Sequence, residues 1–224
     1  MNDVKNEASS SVTAGGVTME PFTVCIGIAA AILRPNIDTD AIIPSREMKR
    51  VSKAGLGEGL FADERYVAGD DRKANPEFIL NRAEYAHCSI LLAGANFGCG
   101  SSREHAVWAL KEFGIRAIVA PSFGSIFANN CVRNGLLAVP LAMPFIEEIA
   151  AWVSSDPAQN RVRVDLERQC IEAGDHVRDF LIDPGARQML LEGLDAIALT
   201  LARWEVISDF DAARRESRPW LYSL

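Results

Sequence analysis

Four apolar segments with little polar alternation constrain the fold of this chain more than any other feature of its sequence. They span residues 22–33, 88–94, 115–120 and 136–141. Runs of this kind are typical of strands buried on both faces, as in parallel sheets covered by helices. Helical patterns at 102–113 and 123–134 each end at a glycine, and a third begins near Pro144 and runs to Val153. The sequence therefore predicts an α/β core with three layers.

The remainder of the chain has a different pattern. Polar and apolar residues alternate from 161, which predicts half-exposed strands at 161–166, 168–172 and 176–182, in a C-terminal β-rich lobe. Helical stretches follow at 184–192 and 195–203. We divide the chain into a disordered, Ser- and Gly-rich leader at 1–20, one folded domain at 21–205 and a charged tail at 206–224. Residues 55–82 are rich in glycine and are predicted to form a long loop, which is often functional in a compact domain.

Charge and cysteine spacing exclude several classes of protein. The formal net charge of −7 disfavours nucleic-acid binding, which usually needs a basic face. The five cysteines are scattered and form no C-x-x-C pair, so we expect no zinc or iron–sulfur ligand set and a reducing compartment. The apolar run at 24–33 is about half as long as a membrane span, and acidic rather than basic charge precedes it. We expect a cytoplasmic protein that does not bind membranes.

A glycine-rich connection between a predicted strand and a predicted helix carries the main functional signal. It spans residues 94–105 (GANFGCGSSREH), and Ser101 and Glu104 have the spacing of a capping box at the helix start. Free backbone N–H groups, the helix dipole and Arg103 would together favour a bound carboxylate or phosphate. No nucleotide-binding fingerprint is present. The alternatives are that the glycines only make a tight turn, and that Ser101 or Ser102 serves only as a helix cap.

A second polar segment follows the first predicted strand. Residues 36–44 (NIDTDAIIP) place Asp38 and Asp40 two residues apart, a spacing that a hard cation could use. The segment lacks the glycine of an EF-hand loop, and Pro44 interrupts it. From the residues alone, turn formation and helix capping by these acids are the favoured interpretation.

Together the two segments resemble the swivel domain of the aconitase superfamily, and within it the family of 3-isopropylmalate dehydratase small subunits. The resemblance is carried by residues 36–44 and 96–106 (NFGCGSSREHA), and residues 193–200 (GLDAIALT) extend it. It covers about residues 22–205. The resemblance implies an α/β fold of the three-layer swivelling β/β/α type found in the aconitase C-terminal domain.

The resemblance also implies a hydro-lyase that is active only with a separate large subunit, in a heterodimer or heterotetramer. The large subunit would carry a [4Fe–4S] cluster, and this chain would bind no cofactor. By the same resemblance, Ser101 is the base that removes a proton from carbon, Arg103 and Ser102 bind a substrate carboxylate, and Asp40 lies near the substrate. The substrate would be a small hydroxy-diacid, namely isopropylmalate in leucine biosynthesis.

Substrate choice is where this chain departs from the family pattern. We expect the segment Arg46, Glu47 and Met48 to border the variable side chain of the substrate. The resemblance implies an aromatic residue where Glu47 stands. Two alternatives therefore stay open: the same chemistry on a related diacid such as 2-methylmalate or citraconate, and a non-catalytic module that binds carboxylates.

Overall fold

A computed structural model describes residues 19–48, 55–69 and 72–222. The predicted leader therefore lies almost entirely outside the described residues. Within them, the strands are β1 (Val24–Ile32), β2 (Cys88–Ala93), β3 (Ala117–Ala120), β4 (Leu137–Pro140), β5 (Val162–Asp165), β6 (Cys170–Ala173) and β7 (His176–Asp179). The α-helices are α1 (Thr39–Ile42), α2 (Ala62–Arg65), α3 (Glu104–Phe113), α4 (Ser125–Arg133), α5 (Met143–Ser155), α6 (Pro184–Glu192), α7 (Ala196–Leu201) and α8 (Trp204–Ser217). Short 3-10 turns lie at Ser45–Met48, Gly57–Gly59, Ile79–Asn81, Ala83–Tyr85 and Pro219–Leu221.

One seven-stranded mixed sheet organises the fold, in the order β4-β3-β2-β1-β5-β6-β7. The four strands from β1 to β4 are parallel, and β5, β6 and β7 are antiparallel to their neighbours. The predicted α/β class is confirmed. The β-rich C-terminal lobe expected from the sequence contains β5, β6 and β7 and continues the same sheet, because β5 pairs with the first half of β1.

Two apolar layers cover the two faces of the sheet. One contains α1, α3, α4 and the segment before β2, and the other contains α5, α6 and the inner side of β5 and β6. Side chains alternate between these layers along β2, where Leu91 belongs to the first and Ile90 and Leu92 to the second. Burial on both faces explains why the parallel strands read as unbroken apolar runs.

The long segment before β2 is an irregular cover rather than a free loop. It contains α2 and short turns, and its large apolar side chains Leu56, Leu60, Phe61, Phe78 and Leu80 are buried in the core. At the other end of the chain, the stretch predicted as a charged tail contains α8. No helix in the described part of the chain is both long and apolar enough to cross a membrane.

Candidate active site

The glycine-rich turn joins the carboxyl end of β2 to α3, at the edge of the sheet where ligands bind in open α/β folds. Gly98 has φ +71°, and a Cβ atom there would lie 2.2 Å from Cγ of the buried Phe127. The ring of Phe127 packs edge-on against Phe97, with centroids 5.4 Å apart. Glycine at this position thus allows the backbone of the turn to pack closely against Phe127. This contact helps to position the backbone that leads to Ser101.

Gly98 gives a testable consequence for stability. Gly98→Ala is expected to lower the free energy of unfolding by about 3 kcal/mol, from left-handed backbone strain together with overpacking against Phe127. Gly69→Ala is the matched control, because Gly69 has φ +80° but no atom within 4 Å of its added Cβ. The free energy of unfolding of the control should fall by only about 1 kcal/mol. Chemical denaturation measures both values, and equal losses would show that contact with Phe127 contributes nothing.

The predicted capping box does not form. Arg103 is the N-cap residue of α3, and no side chain caps the helix. The helix begins two residues later than the capping box requires, so Glu104 is its first residue and not its third, and the Glu104 carboxylate accepts a hydrogen bond of 2.7 Å from the side-chain amide of Asn134. Neither Ser101 nor Ser102 donates its hydroxyl to any group among the described residues, and both are exposed. Both hydroxyls are therefore available to a ligand.

The segment after β1 lies directly against the turn. Gly94 allows the two chains to approach, since a Cβ atom there would lie 2.3 Å from the carbonyl oxygen of Arg34. The Thr39 backbone N–H donates to the Cys99 carbonyl at 3.0 Å, and its hydroxyl donates to the Ser101 carbonyl at 3.1 Å. Cys99 thus contributes its backbone to the turn. These contacts bring the two segments that were singled out in the sequence into one site.

The two acids of this segment have different roles. Asp38 caps α1 by accepting a hydrogen bond of 2.7 Å from the Ala41 N–H, so the capping interpretation is confirmed for Asp38. Asp40 instead accepts a hydrogen bond from the Arg103 guanidinium and another of 3.2 Å from the Ser45 hydroxyl. The hydrogen bond from Arg103 lowers the pKa of the Asp40 carboxyl below its ordinary value of 3.8. The carboxylate therefore stays ionised near neutral pH and holds one side of the guanidinium.

An open cavity of about 310 Å³ adjoins Ser101. Its walls are the turn and the first residues of α4, including Gly100, Gly124 and Ser125. The backbone N–H groups at the start of α4 have no carbonyl partner within the helix, and no side chain caps this end. The cavity thus combines hydroxyl and N–H donors, which suits a carboxylated ligand.

The segment expected to govern substrate choice lies next to this site. Arg46, Glu47 and Met48 form a 3-10 turn that begins at Ser45, the residue that donates to Asp40. The Glu47 carboxylate accepts a hydrogen bond from Arg72 and lies 3.4 Å from the Arg46 guanidinium. Arg46 and Glu47 line a second cavity, of about 390 Å³, together with Asp63, Tyr66 and Arg72. The charged pair of Glu47 and Arg72 thus lines the cavity next to the segment that is expected to govern substrate choice, and we call the lining of this cavity the specificity wall.

Sequence reasoning missed three residues here: Ser45, Tyr66 and Arg72. The guanidinium of Arg72 lies 5.1 Å from the centre of the Tyr66 ring, and both side chains donate to the Glu58 carbonyl. Arg72 is 25 residues from Glu47 in a glycine-rich stretch, and no pattern in the sequence links the two. Ser45 could have been noticed, because it directly follows the motif at 36–44.

The cysteines of this chain do not fit a cluster ligand set. Four of the five are buried, and burial raises the pKa of Cys88 to about 12 and that of Cys131 well above its ordinary value of 9.0. Cluster ligands must be thiolates, so such thiols are poor candidates. Across residues 19–48, 55–69 and 72–222, no three His, Cys, Asp or Glu side chains are grouped so that they could hold a metal ion.

The parallel sheet and the glycine-rich turn at its carboxyl edge define the class of protein. Residues 19–144 match the family model described as the aconitase C-terminal domain, which confirms the class expected from the sequence. Residues 197–223 match a second model, described as the C-terminal domain of the 3-isopropylmalate dehydratase small subunit.

Individual relatives give the family. A 3-isopropylmalate dehydratase small subunit from Cupriavidus necator is 60% identical over 205 residues, covering 91% of this chain and 99% of that protein. One from Rhodospirillum rubrum is 48% identical and covers 91% of this chain and 97% of its own length. The crystal structure of a 3-isopropylmalate dehydratase from Methanocaldococcus jannaschii superposes with a TM-score of 0.59 at 25% identity, covering 83% of this chain and 98% of that chain. The chain belongs to the family of 3-isopropylmalate dehydratase small subunits.

Proposed function

We propose that this chain is the small subunit of a two-chain hydro-lyase that interconverts 2-isopropylmalate and 3-isopropylmalate by dehydration and rehydration, as part of leucine biosynthesis in the cytoplasm. Relatives of nearly equal length carry the dehydratase name. The observation that supports the chemistry best is the exposed Ser101–Arg103 turn, whose two hydroxyls have no partner among the described residues. A domain that only needed a tight connection would have no use for them.

Ser101 is proposed to act as the base. As an alkoxide, its Oγ takes the proton from the carbon next to the hydroxyl-bearing carbon of the substrate. The electron pair of the broken C–H bond forms the double bond, the C–O bond breaks, and the hydroxide that leaves takes a proton from solvent to become water. Rehydration at the neighbouring carbon reverses these steps and returns the proton from Ser101. A serine can serve in this way only where positive potential lowers the pKa of its hydroxyl, and Arg103 and the open N–H groups near the turn supply such potential.

Arg103 is proposed to bind a substrate carboxylate, with Ser102 donating to the same group. Asp40 occupies one side of the guanidinium, and among the described residues no other group accepts from its remaining N–H donors, which can therefore meet the substrate. A carboxylate such as Asp40 would repel an anionic substrate at close range. We therefore assign Asp40 as a positioning residue that orients Arg103, with Ser45 orienting Asp40 in turn.

The partner is proposed to be a large subunit that carries a [4Fe–4S] cluster, since the cysteines of this chain do not fit one. When bound there, such a cluster would supply Lewis-acid chemistry to the hydroxyl that leaves. The exposed position of Ser101 and Ser102, beside the partly exposed Arg103, supports a site that is completed only when a partner covers the turn.

Isopropylmalate is the proposed substrate, and the charged specificity wall calls for a direct test. The assembled two-chain enzyme is given 2-isopropylmalate and 2-methylmalate in parallel under anaerobic conditions, and ultraviolet absorbance follows the unsaturated diacid. A higher kcat/KM for isopropylmalate is the expected result. Preference for methylmalate would replace the substrate but keep the chemistry. A formed complex that turns over neither acid would contradict the proposed function, and binding of isopropylmalate without turnover would indicate a carboxylate-binding module.

The pair of Glu47 and Arg72 gives a second expected result, tested as a double-mutant cycle. Arg72→Met leaves the Glu47 carboxylate, 15% exposed, with the Arg46 guanidinium at 3.4 Å as its remaining ion-pair partner among the described residues. The less compensated charge repels an anionic substrate, so kcat/KM for isopropylmalate should fall about tenfold. Adding Glu47→Gln to this variant should recover most of the lost kcat/KM, because the negative charge is removed. Arg168→Met, which breaks an ion pair in the connection between β5 and β6, is the matched control. A loss that persists in the double variant would mean that Arg72 does not act through Glu47.

A further inference from the structure

Helix α8 is folded but almost entirely uncovered. Thirteen of its fourteen residues are exposed, and none is buried. Several of its large apolar side chains are exposed. Val206 is 70% exposed, Phe210 is 64% exposed, and Trp220, in the turn that follows, is 68% exposed. A helix of this length is marginally stable in water without tertiary packing. A contiguous apolar surface of this kind marks an interaction site.

The two faces of α8 differ in character. Val206, Ile207, Phe210 and Ala213 fall on one face at helical spacing. A groove of about 500 Å³ opens on this face, lined by Phe210, Ala213, Arg214, Ser217 and Arg218. The acids Glu205, Asp209 and Glu216 fall on a neighbouring face, on the side of Ala213 that is away from Ile207. We call the first of these the apolar face of α8.

Local contacts satisfy the polar side of the helix and leave the apolar face open. Arg215 forms an ion pair of 2.8 Å with Asp211, and the Tyr222 hydroxyl donates to the same carboxylate at 2.9 Å. The Arg215 guanidinium also lies 4.4 Å from the centre of the Tyr222 ring. In the described part of the chain, neither Arg214 nor Arg218 forms an ion pair with a carboxylate. The apolar face therefore ends in two guanidinium groups that can meet acids of another protein.

We propose that the apolar face of α8 docks into an apolar groove of the large subunit that is bordered by carboxylates. The inference rests on the proposed function, because it takes the large subunit as the partner. Residues 197–223, which contain α8, match a domain described for small subunits of the dehydratase, whereas the match to the aconitase C-terminal domain ends at residue 144. The helix thus belongs to the part of the chain particular to small subunits, which must find their partner as separate proteins.

Charge disfavours a parallel pairing of two copies of this chain through α8. The apolar face contains Arg214 and is followed by Arg218, but it contains no acid. Parallel pairing of two such faces would bring four guanidinium groups together, which is unfavourable in a desolvated contact. An acidic border on a different protein removes this cost.

Adjacent alanines, one on the apolar face and one on the acidic face, allow a matched test in the full chain. Ala213→Asp places a carboxylate on the apolar face, and Ala212→Asp places the same group on the acidic face. Both substitutions reduce helix propensity equally, and far-UV circular dichroism checks that helix content stays matched. Phe210→Ala removes an aromatic side chain without adding charge. The dissociation constant for the cluster-loaded large subunit is measured by titration, together with turnover at saturating partner.

Ala213→Asp and Phe210→Ala should each raise the dissociation constant by about tenfold or more, as expected for buried interface residues. Ala212→Asp should stay within about twofold of the unaltered chain, as surface substitutions usually do. Turnover at saturating partner should be unchanged in all three. Equal affinities for all variants would overturn the proposal, and so would loss of self-association with unchanged affinity for the large subunit. An unaltered chain that binds the large subunit but turns over neither acid would contradict the proposed function. The measured dissociation constants would still test the docking proposal.

Discussion

Ser101→Ala is expected to reduce turnover of the assembled enzyme by about 10³-fold to 10⁴-fold, the range expected for loss of a positioned base. The hydroxyl of Ser101 is exposed and makes no hydrogen bond to the described residues, so its removal should leave the fold and the partner interface unchanged. Steady-state kinetics with a saturating large subunit measures the loss. Wild-type turnover in this variant would exclude Ser101 as the base.

Two controls separate loss of the base from loss of assembly. Ser102→Ala removes the neighbouring hydroxyl, and it should raise KM more than it lowers kcat, since Ser102 is assigned to carboxylate binding. An excess of the Ser101→Ala chain should inhibit the unaltered enzyme, because the variant still occupies the large subunit. If the variant does not compete, its inactivity reflects failed assembly and says nothing about chemistry.

Arg103→Lys is expected to lower kcat/KM by about 10²-fold, although the charge is retained. Lysine offers a point charge, whereas the guanidinium presents a planar fork that can meet Asp40 on one side and a substrate carboxylate on the other. A single ammonium group cannot serve both in the same geometry. Unchanged kcat/KM would show that Arg103 contributes only its charge, or that it does not contact the substrate.

Asp40→Asn provides the matched control for the arginine, because it weakens the orienting contact and leaves the guanidinium intact. We expect a smaller loss than for Arg103→Lys. The pKa of Asp40 is lowered in the folded chain, so the ion pair is complete at neutral pH and is lost only as the pH falls below the ordinary range of an aspartate. The pH profile between about 5 and 9 should therefore contain no limb that Asp40→Asn removes.

The parallel part of the fold and the place of the site could be predicted because both depend on local signals. Buried parallel strands need unbroken apolar runs, and all four runs contain strands. The glycines at 98 and 100, both with positive φ, marked the turn that carries Ser101. Since the carboxyl ends of parallel strands share one edge of the sheet, the segments after β1 and β2 had to meet there.

The remaining features depend on contacts between residues that are distant in sequence. The predicted capping box is absent because α3 begins at Glu104, whose carboxylate contacts Asn134, 30 residues away. The place of the antiparallel strands in the sheet could not be predicted, because alternation indicates how exposed a strand is but not which strand it pairs with. The partner of β5 is β1. Arg72 escaped notice for the same reason. Helix α8 is not evident from the sequence, because polar and charged residues dominate the composition of residues 206–224.

The central claim is that the turn of this chain completes an active site on a separate large subunit. The most direct test adds increasing amounts of this chain to a fixed amount of cluster-loaded large subunit and records the initial rate with isopropylmalate. The account predicts no turnover by either protein alone and a rate that rises to a plateau as the two approach equal amounts. Turnover by the large subunit alone at the rate of the mixture would contradict it.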